Sequence, residues 1–149
     1  MGAGCSSSQI DACDKALERG RQSHSLYLTD QELKSVPPAA MEATGLQRVD
    51  LSRNKLAELP PSVGGLGNLQ AVFVRDNRLH GLPEELGLCV ALEEIHADRN
   101  LLTTLPDSIG QLVNLRMLRL RDNRLQTVPS SLGNCSSLQC LDVRRPPLS

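Results

Sequence analysis

Apolar and polar positions repeat along most of this chain with a period of 23 residues. Each unit reads L-x-x-L-x-L-x-x-N-x-L-x-x-L-P, then eight variable residues, with Val, Ile, Phe or Ala replacing some leucines. The first leucine, the asparagine and the proline return at Leu46, Leu69, Leu92, Leu115 and Leu138, at Asn54, Asn77, Asn100 and Asn123, and at Pro37, Pro60, Pro83, Pro106 and Pro129. The alternating L-x-L part has strand spacing, and so short a unit cannot bury its apolar face alone. The pattern therefore predicts a stacked arc with about six parallel strands on its concave face and short helical or irregular turns on its convex face.

The repeats divide the chain into three predicted parts. Residues 1–8 are expected to form a flexible N-terminus, and residues 9–20 a short helix that Ser8 caps and Gly20 ends. The helix is predicted to cap the first repeat, and a membrane-surface helix is the alternative. An α/β solenoid domain covers residues 21–149, with a degenerate first repeat at 23–45, repeats at 46–68, 69–91, 92–114 and 115–137, and a truncated last repeat at 138–149.

The recurring asparagines Asn54, Asn77, Asn100 and Asn123 are predicted to form a structural ladder. Each stands where the chain turns out of a strand, and a side-chain amide offers both donors and an acceptor. It can therefore satisfy buried backbone groups of its own turn and of the next repeat. The proline of each Leu-Pro pair suits the first turn of a short helix, where a missing N–H is no loss.

Residues between the strand leucines are predicted to point outward on the concave face, in rows that run across the repeats. The single Tyr and the single Phe of the chain fall in these rows beside several arginines. Aromatic and arginine side chains are enriched where proteins bind one another. The candidate partner-binding residues are Tyr27, Arg48, Asp50, Phe73, Arg75, His96, Asp98, Arg119 and Arg121. The competing interpretation is a solvated sheet face with two stray aromatic side chains.

A further row at the strand exits alternates in charge. Its members are Asp30, Arg53, Asp76, Arg99, Asp122 and Arg145. Because adjacent strands lie about 4.8 Å apart, these side chains are predicted to pair along the row and stabilise the solenoid itself.

The N-terminal sequence MGAGCS fits the pattern for N-myristoylation at Gly2. One myristoyl chain binds membranes only marginally, so a stable anchor needs a second signal. Cys5 is the candidate for that signal, as an S-palmitoylation site. The alternative is an ordinary tail that begins Met-Gly.

Composition narrows the function further. The net charge of -1 gives no bulk attraction to nucleic acid, and the scarcity of aromatic residues argues against base stacking. The five cysteines show no C-x-x-C motif, and Cys89 and Cys135 take the positions of core leucines. The three histidines share no metal-binding spacing, and no catalytic constellation emerges. The chain is therefore expected to be no enzyme and to hold no metal or cofactor.

The repeat from Leu115 to Pro129 resembles the intracellular Ras-group (Shoc-2-like) leucine-rich repeats. The Met-Gly start, the short helix and the degenerate first repeat are similar to small leucine-rich-repeat-containing proteins of the fifty-seven kind and to plant relatives. The resemblance implies a leucine-rich-repeat solenoid that acts as a cytoplasmic scaffold in signalling, with a lipid anchor to the inner face of the plasma membrane or an endomembrane. It does not assign a partner. We expect an unidentified protein ligand on the concave face, such as a small GTPase, a phosphatase or a kinase, and no nucleic acid. Pro146 departs from the pattern because it stands at the asparagine position.

Two alternatives to a free-standing scaffold remain open. One is a regulatory fragment or subunit of a larger enzyme, such as a phosphatase, a kinase or a ubiquitin ligase. The other is a truncated gene product. A longer transcript that encodes a catalytic domain would favour the enzyme-linked alternative.

Overall fold

The computed structural model describes residues 6–145 of the chain and shows a single parallel sheet over that range. Its six strands are β1 (Ser25–Tyr27), β2 (Arg48–Asp50), β3 (Ala71–Phe73), β4 (Glu94–His96), β5 (Met117–Arg119) and β6 (Cys140–Asp142). They lie side by side in chain order, and each residue pairs with the one that stands one repeat later, as Leu26 does with Val49. The predicted solenoid with six parallel strands is therefore confirmed.

The convex side carries short helices, each of which begins directly after the recurring proline of its repeat. Helix α2 covers Pro38–Glu42, and 3₁₀ helices cover Pro61–Gly65, Glu84–Leu88, Asp107–Gln111 and Ser130–Asn134. The prediction placed these prolines inside the first helical turn, and the structure moves them to the residue before it. Pro83, for example, is the N-cap, with φ −71° and ψ 149°, so its ring fixes the extended entry into the helix.

The 3₁₀ helices stack closely because the fourth residue of each is a glycine. A Cβ atom on Gly87 would lie 2.6 Å from the carbonyl oxygen of Ser108, and one on Gly110 would lie 2.5 Å from that of Ser131. Neither distance is compatible with a carbon–oxygen contact. The repeat spacing of the convex side therefore depends on these missing side chains.

The core lies between the sheet and the convex helices. The apolar residues that the convex side contributes to the core are buried: Val63, Leu66, Leu86, Ile109, Leu112 and Leu132. Cys89 and Cys135 are buried in the same layer, and their thiols donate to the carbonyl oxygens of Val63 and Ile109 at 3.2 and 3.1 Å. Burial raises the pKa of the Cys89 thiol to about 11.

Helix α1 covers Ser7–Ser23 and is longer at both ends than the predicted range 9–20. Ser6 is the N-cap in place of Ser8: its hydroxyl accepts from the backbone N–H of Gln9 at 3.2 Å, and its own N–H donates to the Gln9 side chain at 2.7 Å. This reciprocal pair is a capping box, which satisfies two N–H groups at the helix start.

The C-terminal end of α1 also differs from the prediction. His24, in the left-handed conformation with φ 61°, is the C-cap, and Gly20 lies inside the helix. Gly20 is buried, and a Cβ there would lie 3.0 Å from the Ser25 carbonyl oxygen, so this glycine allows the helix to approach β1. Cys13 and Leu17 are buried in the common core, whereas Ile10, which was predicted to share their face, is 49% exposed.

Each ladder asparagine joins its own repeat to the preceding one. In Asn77 the side-chain oxygen accepts from the N–H of Leu56 at 3.0 Å. Its amide nitrogen donates to the carbonyls of Leu51 at 3.0 Å and Val74 at 3.2 Å. The same pattern recurs at Asn54, Asn100 and Asn123. The expectation that the bonds would run to the next repeat was wrong in direction, because the amide points back along the solenoid.

The strand exits adopt a backbone conformation that the sequence does not signal. Asp30, Arg53, Asp76, Arg99 and Asp122 all have φ between 53° and 57°. This left-handed region disfavours residues with a Cβ, and glycine is its usual occupant. The turn into the asparagine imposes it in each repeat, so the exit row carries backbone strain at regular intervals.

Candidate protein-binding surface

The sheet register brings the predicted concave residues into aligned rows. Tyr27 pairs with Asp50, Asp50 with Phe73, Phe73 with His96, and His96 with Arg119. Arg48 lies in the adjacent row at the start of β2, where it pairs with Ala71 of β3. The strands thus carry a continuous band of polar and aromatic side chains across the concave face.

The centre of this band is a cluster of Arg48, Phe73, Arg75, Glu94 and His96, called here the Phe73 cluster. The rings of Phe73 and His96 stack with centroids 4.5 Å apart and an interplanar angle of 17°. The guanidinium carbons of Arg48 and Arg75 lie 5.1 and 5.7 Å from the centroid of the Phe73 ring. A half-buried aromatic ring therefore holds two cations by cation–π attraction.

His96 is buried within the cluster, with 5% of its surface exposed, although the prediction placed it in contact with solvent. Its Nε2 lies 2.8 Å from a carboxylate oxygen of Glu94, and its Nδ1 lies 3.4 Å from Nη2 of Arg75. Because the carboxylate can only accept, Nε2 carries the hydrogen and Nδ1 accepts from Arg75. With both ring nitrogens engaged, His96 is a fixed part of the surface.

Glu94 is the functional residue that sequence reasoning missed. It stands two residues before His96 on the same strand, and alternation places both side chains on the same face of the sheet. The signal available in the sequence was an acidic residue two positions before a histidine on a predicted strand. One carboxylate oxygen of Glu94 accepts a hydrogen bond from the imidazole of His96.

The other concave carboxylates are also occupied within the chain. One oxygen of Asp50 accepts from the backbone N–H of Ser52 at 3.0 Å. One oxygen of Asp98 accepts from the backbone N–H of Arg121 at 2.9 Å, and Asp98 is only 7% exposed. These two predicted partner-binding acids thus hold the backbone in place, and Asp98 offers little surface to a ligand.

The arginines of the band have no ionic partner within the described part of the chain. Within residues 6–145 no carboxylate oxygen lies within 4.0 Å of a guanidinium nitrogen of Arg48, Arg75, Arg119 or Arg121. Arg48, Arg119 and Arg121 are exposed, and the Nε of Arg75 is shielded from solvent without a hydrogen-bond partner among the described residues. Tyr27, at 58% exposure, lies at the edge of the band, two strands from Phe73.

The exit row pairs as predicted in two places. Arg53 contacts Asp30 at 2.9 Å, and Arg99 contacts Asp76 at 2.6 Å. The hydrogen bond from Arg99 holds the pKa of the Asp76 carboxyl below its ordinary value. These two exit-row arginines are paired, in contrast to the arginines of the concave band.

Other predicted sites fall outside this surface. Gly2 and Cys5, the candidate lipidation sites, lie outside the described residues. No helix of the described part of the chain is both long and apolar enough to cross a membrane. Over the same residues, no group of three or more His, Cys, Asp or Glu side chains is arranged to hold a metal ion.

Known proteins share both the repeats and the fold. The sequence model of the Leucine Rich Repeat family matches residues 45–66 and 114–135. Plant intracellular Ras-group-related LRR protein 7 of Oryza sativa subsp. japonica is 37% identical over 67 residues, which cover 44% of this chain and 26% of the rice protein. A leucine-rich-repeat protein of Leptospira interrogans superimposes with a TM-score of 0.76 at 33% identity, over 87% of this chain and 39% of that protein. The plant peptide hormone receptor RGFR1, in complex with RGF2, superimposes with a TM-score of 0.64 at 37% identity, over 72% of this chain and 18% of the receptor.

The stacked parallel strands, the asparagine ladder and these matches define a leucine-rich-repeat solenoid, the class of fold that supports protein–protein interaction. The chain carries repeats that match the Leucine Rich Repeat model, and these repeats are similar to those of the Ras-group-related rice protein. It spans about a quarter of the length of that relative.

Proposed function

We propose that this protein is a non-catalytic scaffold that binds a protein partner on its concave face, with the Phe73 cluster at the centre of the contact. The observation that carries the proposal is the half-buried Phe73 ring with the guanidiniums of Arg48 and Arg75 beside it. Side chains of these types, packed together and partly exposed, are those that contribute most to binding energy at protein interfaces.

The geometry of the face supports this assignment. The stacked Phe73 and His96 rings are held from both sides, so their ordering costs little on binding. The receptor RGFR1, which shares the fold, is itself in complex with a second molecule, RGF2. A preformed concave face is thus a reasonable site for a ligand of this chain.

We place the scaffold in intracellular signalling, with a partner such as a small GTPase, a phosphatase or a kinase. The support is the rice relative, whose name describes an intracellular Ras-group-related protein. In the same proposal the N-terminus is myristoylated at Gly2 and palmitoylated at Cys5, which would hold the chain at a cytoplasmic membrane surface.

The alternative, a regulatory part of a larger enzyme, has one observation in its favour. The matched region covers only 26% of the rice protein and 39% of the Leptospira protein. In that case the concave face would bind a protein substrate or a second subunit, and the same residues would carry the contact.

The test is capture of partners by the intact chain and by the double variant Phe73→Ala with Arg119→Glu. Loss of the Phe73 contact should weaken the main partner by about thirtyfold, since a hot-spot side chain contributes about 2 kcal/mol. Arg124→Glu is the matched control, because Arg124 is exposed and lies outside the strands. If the double variant is folded by circular dichroism and recovers every partner as the intact chain does, the concave face is not the binding site.

The membrane proposal is tested separately. Gly2→Ala removes the myristoyl acceptor and should leave the chain fully in the soluble fraction of eukaryotic cells. Cys5→Ser should leave one acyl chain with weak, reversible membrane binding. An intact mass without a myristoyl group on the wild-type chain would contradict the proposal.

A further inference from the structure

The concave band presents guanidinium groups whose natural counter-ions are missing from the sheet. One oxygen of each of three carboxylates accepts a hydrogen bond within the chain: Glu94 from His96, Asp50 from a backbone N–H, and Asp98 from the N–H of Arg121. Asp142 pairs with Arg144 at 2.7 Å. The remaining concave arginines therefore have donors without an anionic acceptor among residues 6–145.

Arg75 shows this most clearly. Its position is fixed by the Phe73 ring and by the imidazole of His96, yet its Nε is shielded and has no hydrogen-bond partner in the described part of the chain. Because the Nε is shielded from solvent, a carboxylate would contact this half-buried side chain through its other guanidinium nitrogens. Arginine presents a planar fork of donors that suits a carboxylate.

We propose that the concave face recognises an extended acidic segment of its protein partner, with carboxylates placed on Arg75 and Arg121. The inference rests on the proposed function and specifies the chemistry of the ligand. Charge complementarity is the reason for choosing this occupant, since the face exposes guanidiniums while its own acids are already bonded.

The spacing of the two arginines sets the spacing of the acids. Arg75 and Arg121 occupy the same row across the repeats. Backbone hydrogen bonds keep adjacent repeats paired just beyond the strands: the Asp76 N–H donates to the Asp98 carbonyl at 3.0 Å, and the Arg99 N–H donates to the Arg121 carbonyl at 2.8 Å. Two steps of about 4.8 Å separate them by about 10 Å. An extended peptide in the polyproline II conformation advances about 3.1 Å per residue and has three residues per turn, so every third side chain points to the same side and three residues cover about this distance. The ligand should therefore carry acidic residues three positions apart.

The experiment uses the whole chain and two labelled synthetic peptides of serine and glutamate with identical composition. One peptide has its glutamates three residues apart, and the other has them adjacent. Binding is measured by fluorescence anisotropy against wild type, Arg121→Gln and the matched control Arg124→Gln. Arg121 is exposed and its side chain makes no hydrogen bond or ion pair within the described residues, so its replacement should not disturb folding.

The spaced peptide should bind more tightly than the adjacent one, and Arg121→Gln should weaken it by about tenfold, the effect of one lost charge-assisted hydrogen bond. Arg124→Gln should bind it as wild type does. Equal affinity for the two peptides, no measurable binding of either, or equal loss in both arginine variants would overturn the proposal.

The capture experiment separates this failure from failure of the proposed function. If Phe73→Ala with Arg119→Glu loses its partner but the peptides are not distinguished, the face binds a protein that is not recognised by spaced acids. If the spaced peptide binds as expected but the double variant keeps every partner, the acidic recognition is correct and the scaffold assignment to this face is wrong.

Discussion

The substitution Gly110→Ala should separate the two halves of the convex stack and destabilise the protein. Gly110 is the fourth residue of the 3₁₀ helix Asp107–Gln111, and its new methyl carbon would lie 2.5 Å from the carbonyl oxygen of Ser131 and 2.9 Å from its Cβ. Both atoms are close to the backbone, so a side-chain rotation cannot relieve the contact. The neighbouring repeat must move away, and the asparagine ladder resists that movement.

The expected magnitude follows from overpacking. Extra methyl groups in a tightly packed region cost about 1–3 kcal/mol, and replacement of glycine by alanine recovers about 0.4–1 kcal/mol by restricting the unfolded chain. No described glycine has a positive φ, so alanine can adopt the backbone conformation at this position. We expect Gly110→Ala to lower the free energy of unfolding by about 2 kcal/mol, because the clash outweighs the entropy gain.

Gly133 provides a matched control at the equivalent position one repeat later. A Cβ there meets no described atom within 4 Å, so Gly133→Ala should be neutral or stabilising by about 0.5 kcal/mol. Gly64 should be intermediate, since its nearest atom, the Glu85 carbonyl oxygen, is 2.9 Å away. Urea unfolding followed by circular dichroism gives the three free energies. Equal destabilisation by Gly110→Ala and Gly133→Ala would refute the role assigned to the close approach.

Three further predictions follow from the ladder, the buried thiols and the exit row. Asn100→Ala leaves the buried N–H of Leu79 without a partner and removes one of the two asparagine bonds that the carbonyls of Val74 and Ala97 each accept. It should cost about 3 kcal/mol in urea unfolding, whereas the exposed Asn68 should tolerate alanine. Because burial raises the pKa of Cys89 to about 11, iodoacetamide at neutral pH should label the partly exposed Cys140 well before Cys89 in peptide mass mapping. The lowered pKa of Asp76 means that its ion pair stabilises the fold above the ordinary value of 3.8 and that this contribution is lost as pH falls through the folded pKa. Asp76→Asn should therefore be less stable than wild type at neutral pH and equal to it in strong acid, and a constant difference across that range would contradict the assignment.

The regular part of this molecule could be predicted from the sequence because the repeat length fixes the geometry. A period of 23 residues places Asp50 opposite Tyr27 and Phe73 opposite Asp50 whatever those residues are, since the leucines and asparagines set the register. The same logic places Cys89 in the core. Predictions of the strand register and of the core positions therefore agree with the structure.

The differences arise where a local contact decides the outcome. Helix α1 starts at Ser7 because Ser6 forms a capping box with Gln9, and Ser8 was an equally suitable cap by residue type alone. Gly20 looked like a helix end, yet it lies inside α1, where the strand passes too close for a side chain. Arg53 has the left-handed backbone of a glycine without being one. The first two features have no periodic signal, and the third recurs in each repeat without a glycine to mark it.

The concave face shows why periodicity alone misleads about binding chemistry. The row Arg75, Asp98 and Arg121 alternates in charge in the sequence, which suggests a self-neutralising surface like that of the exit row. In the structure Asp98 is buried and its carboxylate accepts a backbone N–H, while the exit-row acid Asp76 binds a guanidinium. Two rows with similar sequences therefore present different surfaces: one is paired, and the other exposes arginines to a ligand. The charge that suits a partner depends on which acids already accept hydrogen bonds within the chain. Those bonds depend on side-chain contacts that differ from repeat to repeat.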